Sequence, residues 1–366
     1  MLSDFIEIKH KDHPKQQLKL STIWLRDHCR CEECFNHTTK QRLLDLTKLP
    51  KDLRTSNVSE KEGGKILVQW SDGHKSEYSF QWLWKSQVQN LVPKTPMKSW
   101  TKSSIEKEDY ANIPFNDLLN SEDSVKQVVE SLITYGVAFI NKVPPTTDMT
   151  EMAIRRMFPI MKTLFGEMFT FQDNPDHADT AYSKDFLGSH TDNTYFTDAA
   201  GLQTLHCIFH NGKGGESSLV DGLKCAEELK EKNPKAFELL TKVQVPAEYI
   251  DEDKEQHHYH SGPVIRLCPV TGLIKQFRWN VYDRAVMDTI PQEHMPEFYE
   301  AFIEMIKIIE NEKNRWLFKL TPGTIMIFNN WRVLHGRESY TGIRKMTGCY
   351  VLHSEFVSKA KSLDLM

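Results

Sequence analysis

From residue 202 onward the chain is composed largely of short apolar runs: "LQTLHCIF", "SSLVDG", "VIRLC", "IKQFRW", "TIMIF" and "GCYVL". Runs of this length, rich in β-branched and aromatic side chains and bounded by turn residues, predict strands. Helical periodicity stands out in two stretches. From Glu122 the residues Val125, Val128, Val129, Leu132 and Ile133 recur at helical spacing, and Gly136 stands where such a helix should stop. From Pro296 to Asn311 the residues Phe298, Phe302, Met305, Ile306 and Ile309 mark one face of a second helix. "GVAFI", after Gly136, reads as a strand. Many short strands and few helices predict a mainly β protein, a sandwich or barrel with helices packed outside.

The 366 residues, 39% of them hydrophobic, suffice for a full core and suggest two domains. The segment to about residue 90 is polar and strand-rich, and in "KILVQWSDGHKSEYSF" the "SDGH" resembles a hairpin turn. "NLVPKTPMKSWTKSSIEKEDY" has the composition of a linker. The expected division is therefore a small β-rich domain, 1–95, followed by a larger domain, 96–366. A formal net charge of -4, with both signs interspersed, gives no basic face for nucleic acid. No run approaches the roughly 18 apolar residues of a membrane span, so the expected partner is a small molecule. Asp4 and Glu7 stand where a signal or transit peptide would be basic, so none is recognisable, and the expected compartment is the cytoplasm or the mitochondrial matrix.

Three residue patterns carry chemistry. In "GSHTDNTYF", His190 and Asp192 alternate as ligands on one strand face would, and His335 of "NNWRVLHGRESY" can supply a third ligand from a neighbouring strand. Two histidines and a carboxylate form the facial triad of non-haem Fe(II) oxygenases, which leaves three coordination positions open. A lone H-x-D is more often a polar turn, so context decides. Arg344, nine residues beyond His335, offers the fork that holds a carboxylate in bidentate fashion. Finally, "RDHCRCEECFNH" packs Cys29, Cys31 and Cys34 into a C-x-C-x2-C cluster, for which His28, His37 and His74 are candidate fourth ligands of a tetrahedral zinc.

Through "DTAYSK", "HTDNTYF", "GLQTLHC", "GGESSLVDG", "YDRAV", "NNWRVLHGRESYTG" and "GCY" the chain resembles the 2-oxoglutarate-dependent dioxygenases of carnitine biosynthesis. These are the trimethyllysine and γ-butyrobetaine dioxygenases of the taurine-dioxygenase-like superfamily. The resemblance implies a double-stranded β-helix, or jelly-roll, core with Fe(II) held by His190, Asp192 and His335. It implies 2-oxoglutarate held by Arg344 and Ser217, with Leu205 lining its pocket, and ascorbate keeping the iron reduced. It also implies an N-terminal structural zinc on Cys29, Cys31, Cys34 and His74. "HHYH", His257 to His260, is flanked by the acidic "DEDKEQ"; it reads as a solvated loop and is given no ligand role.

A quaternary ammonium donates no hydrogen bond and is recognised by aromatic faces. The family's cage positions correspond to Phe165, Phe169, Tyr182 and Tyr350; the first two are commonly Tyr and Trp in relatives. The i, i+4 spacing of Phe165 and Phe169 also suits a helix face packed in a core. Asp179 resembles the aspartate of trimethyllysine dioxygenases, where it would meet an α-ammonium group, and Asn280 is a further substrate contact. The expected reaction is hydroxylation of trimethyllysine at C3, the first step of carnitine biosynthesis, with release of succinate and CO2. γ-Butyrobetaine dioxygenase, or an oxygenase of another ammonium substrate, is the nearer alternative; an inactive jelly-roll binding module is the farther one. Relatives often dimerise, and helix 296–311 is a candidate for a homodimer interface.

Overall fold

The computed structural model describes residues 5–9, 17–87, 93–172 and 183–366. Asp179 and Tyr182, expected in the substrate pocket, lie outside the described residues. The chain divides into two compact units, Met1–Val92 and Pro93–Met366. No helix of the described residues is long and apolar enough to cross a membrane.

The first unit is organised by the antiparallel sheet of Thr55–Lys61, Lys65–Trp70 and Lys75–Ser79. In "KILVQW" alternate residues Ile66, Val68 and Trp70 are buried, the period-2 pattern of a half-buried strand. They meet Leu18, Leu20, Leu25, Tyr78, Phe80 and Leu83, drawn partly from two short helices, Thr22–Asp27 and Phe80–Lys85. The "SDGH" turn joins the last two strands, with Gly73 at φ +85°, where a Cβ would be strained. His74 is thereby fixed at the hairpin end.

The second unit contains a six-stranded and a four-stranded sheet. The larger runs in the order Met168–Gln172, Arg344–Val351, Leu202–His210, Ile325–Asn329, Val137–Asn141, Asn112–Pro114. The smaller runs Leu187–His190, Val333–Arg337, Ser217–Asp221, Trp316–Phe318. This arrangement is the jelly roll anticipated from the sequence. Between the sheets Phe139, Met326, Phe328 and Met346 pack against Leu219, Trp316 and Val333. The alternate residues of the same strands face outward. Ala138, Ile140, Ile325 and Ile327 contact Val125, Val128 and Leu132 of the helix Glu122–Thr134, while Val220 and Leu334 contact Phe298, Phe302 and Met305 of the helix Met295–Ile309. Burial on both faces explains why "VAFI" and "TIMIF" are continuously apolar rather than alternating.

Both helices expected from periodicity form within two residues of their anticipated limits, and Gly136, φ +77°, ends the first. The expectation of few helices needs correction. Gly222–Lys232 and Pro234–Lys242 are helical, as are Thr147–Arg155 and His353–Ser362. The first pair carried legible start signals: the Asp221 side chain accepts from the Leu223 N–H, the Asn233 side chain accepts from the Ala236 N–H, and Pro234 occupies the first turn. Their buried faces are built partly from small residues such as Cys225, Ala226 and Ala236, which an apolar count overlooks. "HHYH" also differs from expectation. It lies on the strand Gln256–Gly262, paired with Val245–Asp251, with His257 and Tyr259 exposed and His258 and His260 half-buried.

Candidate metal centres and active-site cavity

Inward-facing positions of both sheets converge at one place. His190 ends its strand and pairs in register with His335 on Val333–Arg337, so the two rings lie 4.2 Å apart between centroids. Asp192 lies beyond the strand end rather than on it, contrary to the simple alternation argument. It is fixed by Asn330, whose side chain accepts from the Asp192 N–H at 2.8 Å and donates to the Asp192 and Ala200 carbonyls at 3.0 and 2.9 Å. The resulting ligand atoms are close: His190 Nε2 to Asp192 Oδ1 is 3.3 Å, and His335 Nε2 to Asp192 Oδ2 is 3.9 Å. Taking one ligand atom from each residue, all three lie within 4.8 Å of one another, against about 3 Å between cis positions of an octahedron with bonds of about 2.1 Å.

The donor chemistry suits a cation. His190 Nδ1 donates to the Gly188 carbonyl at 2.8 Å, leaving Nε2 as the ligand atom. Burial, together with the neighbouring His190, pushes His335 well below its ordinary value, toward the uncharged form that a metal ligand needs. Burial opposes the Asp192 charge, but His335, His190 and the Tyr350 hydroxyl outweigh it and hold the carboxyl well below its usual range.

A cavity of about 800 Å³ opens over the triad. The large sheet lines it with Gln203, Leu205, Met326 and Tyr350, the small sheet with Ser217 and Arg337, and the hairpin 245–262 with Glu248, Tyr249 and Asp251. Ser217, Leu205, Arg344, Phe165, Phe169, Asn280 and Tyr350, all expected at a site, share this one cavity. Arg344 is buried, and desolvation and the like charge of Arg337 push its pKa down to about 10. Among the described residues no carboxylate acts on it. Arg344 and Arg337 thus bring two buried guanidiniums to the cavity wall, a charge that suits an anion. Asn280 donates to Asp283 Oδ2 at 2.6 Å and accepts from the Tyr282 N–H at 2.9 Å, so it shapes its own turn as well as lining the cavity.

Phe165 and Phe169 do not share a helix face. Phe165 sits in a turn and Phe169 on the strand Met168–Gln172, its ring 5.1 Å from that of Tyr350 and 5.9 Å distant ring contact joining Phe165 to Tyr249. Gly348 makes room for the Phe169 ring: a Cβ there would lie 2.7 Å from it. Sequence reasoning missed Arg337, Gln203, Tyr249 and Asn330. Arg337 was signalled by its alternation with His335, and Gln203 by being the polar residue inside "LQTLHCIF".

The N-terminal cluster is tighter. His74 Nε2 lies 3.4 Å from Cys29 Sγ and 3.6 Å from both Cys31 Sγ and Cys34 Sγ. Zinc bonds of about 2.3 Å to sulfur and 2.0–2.1 Å to nitrogen give tetrahedral edges of about 3.6 Å, so the four atoms fit that ion. Burial pushes the Cys34 thiol up to about 12, although Arg26 Nη1 donates to its sulfur at 3.1 Å; a cation at the centre supplies the charge that thiolates need. The other candidate histidines are engaged elsewhere: His28 stacks on Trp24 and His37 approaches the Arg30 carbonyl at 2.8 Å.

Sequence profiles match both units: residues 93–350 match "Taurine catabolism dioxygenase TauD, TfdA family", and residues 3–84 match "Gamma-butyrobetaine hydroxylase-like, N-terminal". The chain is 34% identical over 366 residues to the mitochondrial trimethyllysine dioxygenase of Bos taurus, covering 98% of this chain and 87% of that one. It is 34% identical to the trimethyllysine dioxygenase of Meyerozyma guilliermondii, covering 95% and 91%. A taurine dioxygenase structure from Burkholderia xenovorans shares the fold at a TM-score of 0.51 and 14% identity, over 64% of this chain and 84% of that one. Geometry and similarity agree, and the chain belongs to the TauD, TfdA family of dioxygenases, together with the trimethyllysine dioxygenases.

Proposed function

We propose that this protein is an Fe(II)- and 2-oxoglutarate-dependent dioxygenase that hydroxylates trimethyllysine at C3, releasing succinate and CO2 in the first step of carnitine biosynthesis. The observation that carries this reading is one cavity holding three parts: the His190, Asp192, His335 triad, the buried cations Arg337 and Arg344, and an aromatic wall that includes Phe165, Phe169 and Tyr350. The names of the relatives supply the substrate.

Iron bound by the triad would supply the activation of O2, with 2-oxoglutarate as electron source and ascorbate keeping the metal reduced. The rest is done by the chain. Arg344 and Ser217 bind the distal carboxylate of the oxo-acid, and Leu205 walls its carbon chain. Phe165, Phe169, Tyr182 and Tyr350 orient the trimethylammonium group, with Asp179 and Asn280 at the amino-acid end. The buried walls exclude water and hold the substrate carbon, rather than solvent, toward the position that the metal would occupy. Zinc on Cys29, Cys31, Cys34 and His74, with no open ligand position, has a structural role.

The working partner is thus a small trimethylammonium amino acid, not nucleic acid or membrane. A homodimer belongs to this reading, supported by the helix Met295–Ile309, which exposes Tyr299 and Ile303 opposite its buried face. The mitochondrial names of the vertebrate relatives favour the matrix over the cytoplasm.

The deciding experiment loads the protein anaerobically with Fe(II), adds 2-oxoglutarate and ascorbate, and offers trimethyllysine and γ-butyrobetaine separately. Gain of one oxygen by trimethyllysine, read by mass spectrometry, is expected. Hydroxylation of γ-butyrobetaine alone would move the chain to the activity that its N-terminal profile is named for. Failure to consume 2-oxoglutarate with either would support a binding module without turnover.

A further inference from the structure

We propose that Tyr350 is a positioning residue that holds Asp192 as a one-oxygen ligand and so keeps three metal positions open, a role separate from its ring in the aromatic wall. The inference rests on the iron reading of the triad. The Tyr350 hydroxyl donates to Asp192 Oδ2 at 2.7 Å, while Oδ1 is the oxygen that approaches His190 Nε2 at 3.3 Å. Both oxygens lie near the histidines, Oδ2 at 3.9 Å from His335 Nε2, but only Oδ2 also carries the tyrosine hydroxyl.

The arrangement matters because Asp192 is the member of the triad outside a strand. Asn330 fixes its backbone but leaves its carboxylate free to turn. Carboxylates bind divalent cations with one oxygen or two. A bidentate Asp192 would occupy four of six octahedral positions together with the two histidines, leaving two for a chelating oxo-acid and none for O2. A hydroxyl bonded to Oδ2 opposes that mode.

Tyr350 is well placed to hold this position. It pairs with Gln203 in the large sheet, its carbonyl accepts from the Met161 N–H at 2.8 Å, its ring contacts Phe169 at 5.1 Å, and it is buried. The oxygen therefore has little freedom to swing away, and one residue links the substrate wall to the metal ligand.

The test uses full-length, zinc-replete Tyr350→Phe, which deletes one oxygen and keeps the ring. Mn(II), an oxygen- and nitrogen-preferring probe, is titrated in, and unbound Mn(II) is read by electron paramagnetic resonance. The Mn(II) dissociation constant should rise about tenfold or more, the range seen when an outer-shell partner of a metal ligand is lost. Calorimetric binding of trimethyllysine to the Mn(II)- and 2-oxoglutarate-loaded protein should change far less. Phe169→Leu should show the converse, weakened trimethyllysine binding with wild-type Mn(II) affinity. If Tyr350→Phe does not melt cooperatively, Tyr350→Met removes the same hydroxyl while refilling the volume. Wild-type Mn(II) affinity in a folded hydroxyl-less variant overturns the proposal. If Asp192→Ala also keeps wild-type affinity, the iron reading falls with it.

Discussion

The cluster in the first unit draws three ligands from six consecutive positions, Cys29 to Cys34, and closes on a hairpin histidine; the cluster in the second joins a strand end to a strand far downstream. Four protein ligands at tetrahedral edges leave no room for a substrate. Three ligands beneath a cavity of about 800 Å³ leave half an octahedron facing it. The contrast separates a metal that makes structure from a metal that structure makes. In the first unit the four ligands would hold a loop only through the proposed zinc, whereas in the second two sheets packed through Phe139, Phe328, Leu219 and Val333 fix the ligand strands themselves.

That distinction is tested most severely by removing one ligand from each site. His190→Ala should reduce turnover to background while the melting transition and the zinc content stay those of the wild type. Measurable product formation by the purified variant would remove His190 from the triad. Cys31→Ser should do the opposite: zinc is lost, and the first unit unfolds or melts far earlier, because metal binding of this kind contributes folding energy directly. Full zinc content with unchanged melting in that variant would contradict the structural role. A second tier concerns the cation above the iron site. Arg344→Ala removes one member of a buried charge pair with the oxo-acid, a loss of about 2 kcal/mol or more, which is roughly a 30-fold rise in the 2-oxoglutarate KM. An unchanged KM would leave Arg337 as the anion partner.

The same contrast governs what could be read in advance. The four-residue cluster was legible because three of its members lie within six positions, although the choice among His28, His37 and His74 required either the resemblance or the hairpin geometry. The triad was legible as a motif, but Asp192 reaches its place through Asn330, a long-range contact that strand alternation does not predict. A mainly β sandwich or barrel followed from the short apolar runs, and the jelly roll from the family resemblance. The helices at 222–242 did not, because their caps are single residues and part of their buried face is small. Phe165 and Phe169 show the limit of periodicity most clearly. Their i, i+4 spacing suits a helix, yet the strand Met168–Gln172 gains its ladder only from Arg344–Val351, nearly at the other end of the chain.

The smallest expected effect asks whether the second unit has a pH limit of its own, independent of either metal. His206 is fully buried on Leu202–His210, its Nδ1 2.7 Å from Thr150 Oγ1, and burial pushes it down to about 4. His353, stacked on Trp331, is pushed down to about 4 by the same cause. An imidazole in the unfolded chain titrates near 6.5. The folded state therefore binds fewer protons, and the stability linked to the neutral rings is complete above about pH 6.5 and falls as the pH drops toward 4. Each ring contributes at most about 3 kcal/mol to that slope, at roughly 1.4 kcal/mol per pKa unit. In chelator-treated protein the first unit should already be destabilised, so the remaining transition reports on the second. His206→Gln should flatten the dependence of its melting temperature between pH 6.5 and 4, even if the variant is less stable at neutral pH. Equal slopes for the variant and the wild type would show that His206 finds a protonated partner in the fold and that the acid limit lies elsewhere.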